Sequence, residues 1–103
     1  MPEENHLKGK SPMDDFLDRV LLCEGKLADT TLPLARRLHE AMKVWGGLEV
    51  GRLPAKLEKN INRRFRAMNR VMSRYPIKTV EDYDLLSTED SNALAAELRK
   101  MLG

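Results

Sequence analysis

Basic side chains recur at helical spacing in the middle of this chain, between Leu53 and Tyr75. Steps of three or four residues separate them, so on a helix that turns about 100° per residue they form one row along one face. Arginine and lysine in such a row can bind phosphates, and arginine can also donate paired hydrogen bonds to phosphate or guanine. We call this row the basic ridge; its members are Lys56, Lys59, Arg63, Arg66, Arg70 and Arg74.

The net charge of the chain is concentrated in the same region. Segment 52–78 contains nine basic residues and one acid, Glu58, which gives it a charge of +8. The rest of the chain has a charge of −6, so the whole chain is only +2. A segment this basic must be solvated, paired with acids or bound to an anion. We predict that its basic residues contact nucleic acid: Arg52, Lys56, Lys59, Arg63, Arg64, Arg66, Arg70, Arg74 and Lys78.

Two other kinds of partner are compatible with a basic helix. The ridge can bind an acidic protein surface, including that of a second copy in a homodimer. Basic amphipathic helices also bind membrane surfaces or calmodulin-type proteins, but here the apolar stripe is narrow and neighbouring segments can cover it. We therefore expect an accessory or regulatory protein that binds DNA or RNA. The alternative is a protein-interaction module or inhibitor whose basic helix meets an acidic partner.

Short motifs elsewhere in the chain lack the partners that catalysis requires. Asp14, Asp15 and Asp18 form D-D-x-x-D, which resembles the magnesium–diphosphate motif of prenyl synthases. Those enzymes need a second acidic cluster across a large helical cavity, which 103 residues are too few to build. His39 begins H-E-x-x-K, so the second zinc-binding histidine of H-E-x-x-H is missing.

The glycines and the cysteine also fail to complete a site. Gly46 and Gly51 have the spacing of a P-loop, but Arg52 and Leu53 replace its lysine and its Ser or Thr. Cys23 is the only cysteine, so it forms neither an intrachain disulfide nor a cysteine-based zinc site, and we expect a buried thiol. The sequence therefore predicts no enzyme activity, no cofactor and no metal.

Helices are the elements that must position the ridge. Ser11 and Pro12 are typical of an N-cap and a first helical residue, and Gly25 is a plausible C-cap for that first helix. A second helix is predicted from about Leu32 or Pro33 to Trp45. The predicted apolar stripe of the first helix consists of Met13, Phe16, Leu17, Val20 and Leu21.

The long basic helix is predicted over 54–75, with Pro54 in its first turn and Pro76 stopping it. After it, the sequence predicts a short helix from Thr79 to Leu86 and a last helix, 88–102. The expected fold is all-α, a small helical bundle of about four helices plus a short helical turn. The apolar stripe of the long helix lies opposite the ridge and consists of Leu57, Ile61, Phe65, Met68, Met72 and Tyr75.

The chain is predicted to form a single domain. Residues 1–10 are polar and have no periodic apolar face, so we expect a flexible N-terminal tail followed by one helical domain, 11–103. No apolar run approaches the roughly 20 residues that a membrane helix needs, and no signal peptide is recognisable. We expect a cytoplasmic protein with no membrane partner.

Overall fold

The computed structural model describes residues 11–102, so the predicted tail 1–10 lies outside the described residues. Four α-helices follow one another: α1 (Pro12–Ala28), α2 (Leu34–Lys43), α3 (Ala55–Met72) and α4 (Thr88–Leu102). Two 3₁₀-helices, Val50–Arg52 and Val80–Leu85, lie before and after α3. The described range contains no β-strand. The prediction of a small all-α bundle is confirmed.

Side-chain caps begin three of the helical segments where the sequence predicts them. The Ser11 hydroxyl accepts a hydrogen bond of 3.0 Å from the Asp14 N–H at the start of α1, and the Ser87 hydroxyl accepts one of 3.0 Å from the Asp90 N–H in α4. The Asp82 carboxylate accepts 2.8 and 2.9 Å bonds from the N–H groups of Lys78 and Thr79 before the second 3₁₀-helix. These hydrogen bonds lower the pKa of Asp82 because they stabilise its charged form.

The core is organised around α4, which packs against each of the other three helices. Leu94 and Leu98 of α4 are fully buried, and they are joined in the core by Cys23 of α1, Leu38 of α2 and Ile61 of α3. Phe16 of α1 and Trp45 after α2 close the core at one end, with ring centroids 5.7 Å apart. Removal of these side chains from water is the main force that holds α3 in place.

Arginine side chains join α1 and α2 to other elements by bonding to the backbone. Arg19 in α1 donates 2.6 Å hydrogen bonds to the carbonyls of Val44 and Gly46, at the end of α2, and a 2.9 Å bond to Asp15. Carbonyls at a helix end have no helical partner, so a cation there satisfies them. Arg36 and Arg37 in α2 likewise donate to the carbonyls of Val80, Leu32 and Leu27.

Two predictions about α1 are wrong. Gly25 does not end this helix, which continues to Ala28 because Leu27 one turn beyond Cys23 extends the buried stripe. Leu17 and Leu21 are not buried: their exposed fractions are 51% and 69%. The apolar residues of α1 extend over more of its circumference than α2 and α4 can cover.

Candidate nucleic-acid interface

Helix α3 buries one side and exposes the basic ridge on the other. Ile61 and Met68 are buried, and the remaining apolar residues of the predicted stripe are partly buried against the core. The predicted amphipathic orientation of this helix is therefore confirmed. All six members of the ridge are exposed: Lys56, Lys59, Arg63, Arg66, Arg70 and Arg74.

Most of the ridge is not neutralised by the acids of residues 11–102. Within residues 11–102, five ridge side chains make no hydrogen bond or ion pair. These five extend over four turns of helix, or about 21 Å at 1.5 Å per residue. The acids in the described part of the chain thus leave this surface open; the five residues are Lys56, Lys59, Arg63, Arg66 and Arg70.

Arg74 lies beyond the open part of the ridge, because α3 ends at Met72 and the prediction that it continues to Tyr75 is wrong. Its guanidinium lies 3.2 Å from the carboxylate of Asp90 near the start of α4. The Tyr75 hydroxyl donates to the same carboxylate and accepts a 3.2 Å bond from the Ser87 N–H. The carboxylate of Asp90 partly neutralises Arg74. Its contacts with Arg74 and Tyr75 also connect the residues after α3 to α4.

Arg64 lies apart from the ridge although it was predicted to contact nucleic acid with its neighbours. Its guanidinium is 2.8 Å from Glu97 of α4, and the two side chains are only 12% and 18% exposed. A step of about 100° from Arg63 turns position 64 towards the buried side of α3. The pair links α3 to α4, so we leave Arg64 out of the proposed interface.

The two outermost predicted residues lie outside α3. Arg52 is exposed in the first 3₁₀-helix, with its guanidinium 3.3 Å from Glu49. Lys78 is exposed in the loop that follows α3. The structure therefore brings together the five open cations of α3, and it places Arg52 and Lys78 before and after that helix.

A shallow apolar groove borders the ridge, which the sequence analysis did not predict. Its volume is about 220 Å³, and α3 contributes Phe65, Met68 and Asn69 to its lining. Met42 and Trp45, from α2 and the turn after it, line the opposite side. Phe65 is partly buried and Asn69 is exposed. An exposed amide, Asn69, therefore lies between the groove and the arginines.

The other candidate motifs have structural roles. Cys23 is buried, and burial raises the pKa of its thiol. His39 is a boundary residue, with its ring 3.1 Å from Glu40 and edge-on to the ring of Tyr83. Gly47, the one described glycine with positive φ (78°), lies in the turn between α2 and the first 3₁₀-helix. Among residues 11–102, no group of three His, Cys, Asp or Glu side chains is arranged to hold a metal ion.

Comparison with known proteins adds no relative to this description. No family model matches the chain, and neither a curated protein nor a solved structure is significantly similar to it. None of the helices in the described range is both long enough and apolar enough to cross a membrane.

Proposed function

We propose that this protein binds nucleic acid through the basic ridge of α3, with phosphates as the main contacts. The observation that carries the proposal is the exposure of five ridge cations, none of which is paired with an acid within residues 11–102. Such a row is electrostatically costly without a ligand, because neighbouring cations at i, i+3 and i+4 repel one another. A polyanion relieves that repulsion and releases its condensed counterions.

The positions of the arginines favour a phosphate backbone as the ligand. Arg63, Arg66 and Arg70 occupy consecutive turns, and their planar guanidinium groups match phosphate oxygens in geometry. Asn62 and Asn69 lie on the flank of the ridge, where amides can contact bases once phosphates fix the orientation of the helix. This small protein would act as an accessory or regulatory factor on DNA or RNA.

The direct test removes three ridge arginines and compares the result with a matched loss of charge elsewhere. The test variant is Arg63→Gln, Arg66→Gln and Arg70→Gln, and glutamine preserves helix propensity. The control is Lys43→Gln, Arg99→Gln and Lys100→Gln, which removes three exposed cations from α2 and α4. Both variants have the same net charge. The control also loses two surface ion pairs, Lys43 with Glu40 and Lys100 with Glu97, so circular dichroism must first show that it keeps the helical spectrum of the unmodified protein.

Binding is measured by fluorescence anisotropy with labelled duplex DNA and with a labelled RNA stem–loop. At about 0.1 M salt the ridge variant should lose affinity by roughly 500-fold, because three phosphate contacts are lost at roughly eightfold each. The control should bind within a few fold of the unmodified protein. Equal losses in both variants would show that net charge, not the ridge, sets the affinity. No binding to either nucleic acid by the unmodified protein would favour the acidic protein partner instead.

A further inference from the structure

The outer face of α1 carries apolar residues that the core does not cover. Leu17 and Leu21 are 51% and 69% exposed, and Gly25 and Ala28 continue the same line towards the end of the helix. Steps of four, four and three residues keep the four positions on one face. Leu22, 56% exposed, lies beside them. We call the four positions Leu17, Leu21, Gly25 and Ala28 the leucine row.

The fold does not explain the glycine in this row. Gly25 lies inside α1, where glycine destabilises a helix relative to alanine. It has no positive φ, and a Cβ at this position would meet nothing within 4 Å. The protein therefore has a bare backbone at a site where the β-carbon of alanine would meet no neighbour. A missing side chain allows another backbone to approach closely.

The charges around the leucine row are mostly negative. The exception is Arg99 of α4, which lines a shallow depression together with Glu24 and Ala28. Asp14 lies at its N-terminal end and Glu24 at its flank, and both are exposed. The two cations of α1 are bound elsewhere: Arg19 lies 2.9 Å from Asp15, and Lys26 lies 3.9 Å from Glu40 of α2. An apolar strip with an acidic border is complementary to a helix that has one apolar and one basic face.

We propose that the leucine row binds a cationic amphipathic helix of a partner protein. The apolar residues of that helix would pack on Leu17 and Leu21, and its backbone would approach closest at Gly25. Its lysines or arginines would pair with Asp14 and Glu24. A second copy of this chain fits less well, because two leucine rows packed together would bring two acidic borders into proximity. This surface is on α1, so the proposal does not depend on nucleic-acid binding by α3.

The probe is a fluorescein-labelled peptide of leucine and lysine, about 18 residues long so that it can form a helix on binding. Its leucines recur at positions i, i+3, i+4 and i+7. One comparison peptide has the same composition in scrambled order, which removes the apolar face. Another replaces each lysine with glutamate, which reverses the charge. The unmodified protein should bind the first peptide and not the scrambled one. Any binding of the glutamate peptide should be lost in the variant Arg63→Gln, Arg66→Gln and Arg70→Gln, because the open row of cations is on the basic ridge.

The variant Leu17→Gln with Leu21→Gln tests whether the leucine row is the binding surface. It should lower the affinity for the peptide about 10- to 100-fold, because the apolar area that the partner covers is lost. Leu85→Gln is the matched control, since Leu85 is 55% exposed in the second 3₁₀-helix and lies off the row. Both variants should have the same helical circular dichroism spectrum as the unmodified protein, because all three leucines are exposed.

Three results would overturn the proposal. The first is equal binding of the scrambled peptide, and the second is an equal loss of affinity in Leu85→Gln. The third is a combination of two observations: the unmodified protein binds no peptide, and it sediments as a dimer that Leu17→Gln with Leu21→Gln converts to monomer. That combination would show that a second copy of the chain occupies the leucine row. Lower affinity in Glu24→Lys, with nucleic-acid affinity undiminished, would support the proposal and separate it from the function of the ridge.

Discussion

The outer faces of α1 and α3 differ in what they present to solvent. Helix α3 follows the usual rule for a surface helix, with apolar residues inside and charges outside. Helix α1 buries Phe16 and Cys23 on one side but also exposes Leu17 and Leu21 on the other. A row of cations favours a polyanion and loses affinity with salt, whereas an apolar row favours a packed partner and is less salt-sensitive. The difference suggests two separate binding surfaces on one small bundle.

A second contrast separates the arginines that hold the fold together from those of the ridge. Arg19, Arg36 and Arg37 donate to backbone carbonyls, and Arg64 pairs with Glu97. The ridge arginines 63, 66 and 70 have no such partner within residues 11–102. Arginine therefore has two roles in this protein, support of the fold and presentation of charge to solvent, and substitutions can distinguish them.

The largest expected effect is on stability, and it distinguishes a core leucine from an exposed one when each is changed to alanine. Leu98→Ala should lower the free energy of unfolding by about 2–5 kcal/mol, because Leu98 is fully buried at the centre of the bundle. Leu21→Ala should change it by less than about 0.5 kcal/mol, because Leu21 is on the outer face of α1. Urea unfolding followed by circular dichroism measures both. A large loss in Leu21→Ala would mean that the outer face is covered by another part of the protein.

A neighbouring pair of arginines tests the second contrast. Arg64→Met should cost about 1–3 kcal/mol of stability, because it leaves the largely buried Glu97 with only the more distant Lys100, at 3.4 Å. Arg63→Met should leave stability nearly unchanged but reduce nucleic-acid affinity by roughly eightfold at about 0.1 M salt, the loss of one phosphate contact. Thermal unfolding and anisotropy titrations should therefore rank the two variants in opposite orders.

A methyl group added at Gly25 should change the stability of the protein and its affinity for the peptide in opposite directions. Gly25→Ala should raise the free energy of unfolding by about 0.5–1 kcal/mol, because alanine is the better helix former and its methyl group meets no neighbour. The same variant should lower the affinity for the leucine–lysine peptide, because the added methyl group keeps the peptide backbone further from α1. A destabilised variant would show that Gly25 serves the fold after all.

The smallest expected effect is a pH dependence that belongs to the loop after α3. The pKa of Asp82 is lowered in the folded protein, so its stabilising effect is present above the ordinary carboxyl pKa of about 3.9 and is lost as pH falls through the lower folded value. Asp82→Asn should be less stable than the unmodified protein at pH 7. The difference should shrink below about pH 4, in unfolding curves recorded between pH 7 and pH 2. A constant difference across that range would show that the charge of Asp82 is not involved.

The amphipathic helix and its start after Pro54 were predictable because their determinants are local, whereas its end was not, since the helix stops at Met72 and not at Tyr75. Pro54 and Pro76 restrict the backbone around α3, and the spacing of its apolar residues fixes which side enters a core. The cap at Ser11 depends on a contact only three residues away. These features need no knowledge of the tertiary structure.

The role of Arg64 and the exposure of the leucine row were not predictable in the same way. The partner of Arg64 is 33 residues further along the chain, although the angular position of residue 64 was a sign that it belongs to the buried side. A helical wheel shows which residues share a face of α1, but it does not show how much of that face the neighbouring helices cover. The wide spread of apolar residues in α1 was the available signal that some of them stay exposed.

The salt dependence of nucleic-acid binding tests the central claim most directly. With five open cations on α3, a plot of log affinity against log salt should have a slope of about −4 to −5, by the relation of about −0.9 per phosphate on B-DNA. The variant Arg63→Gln, Arg66→Gln and Arg70→Gln should reduce that slope to about −2. A slope near zero, or one that this variant leaves unchanged, would contradict the account.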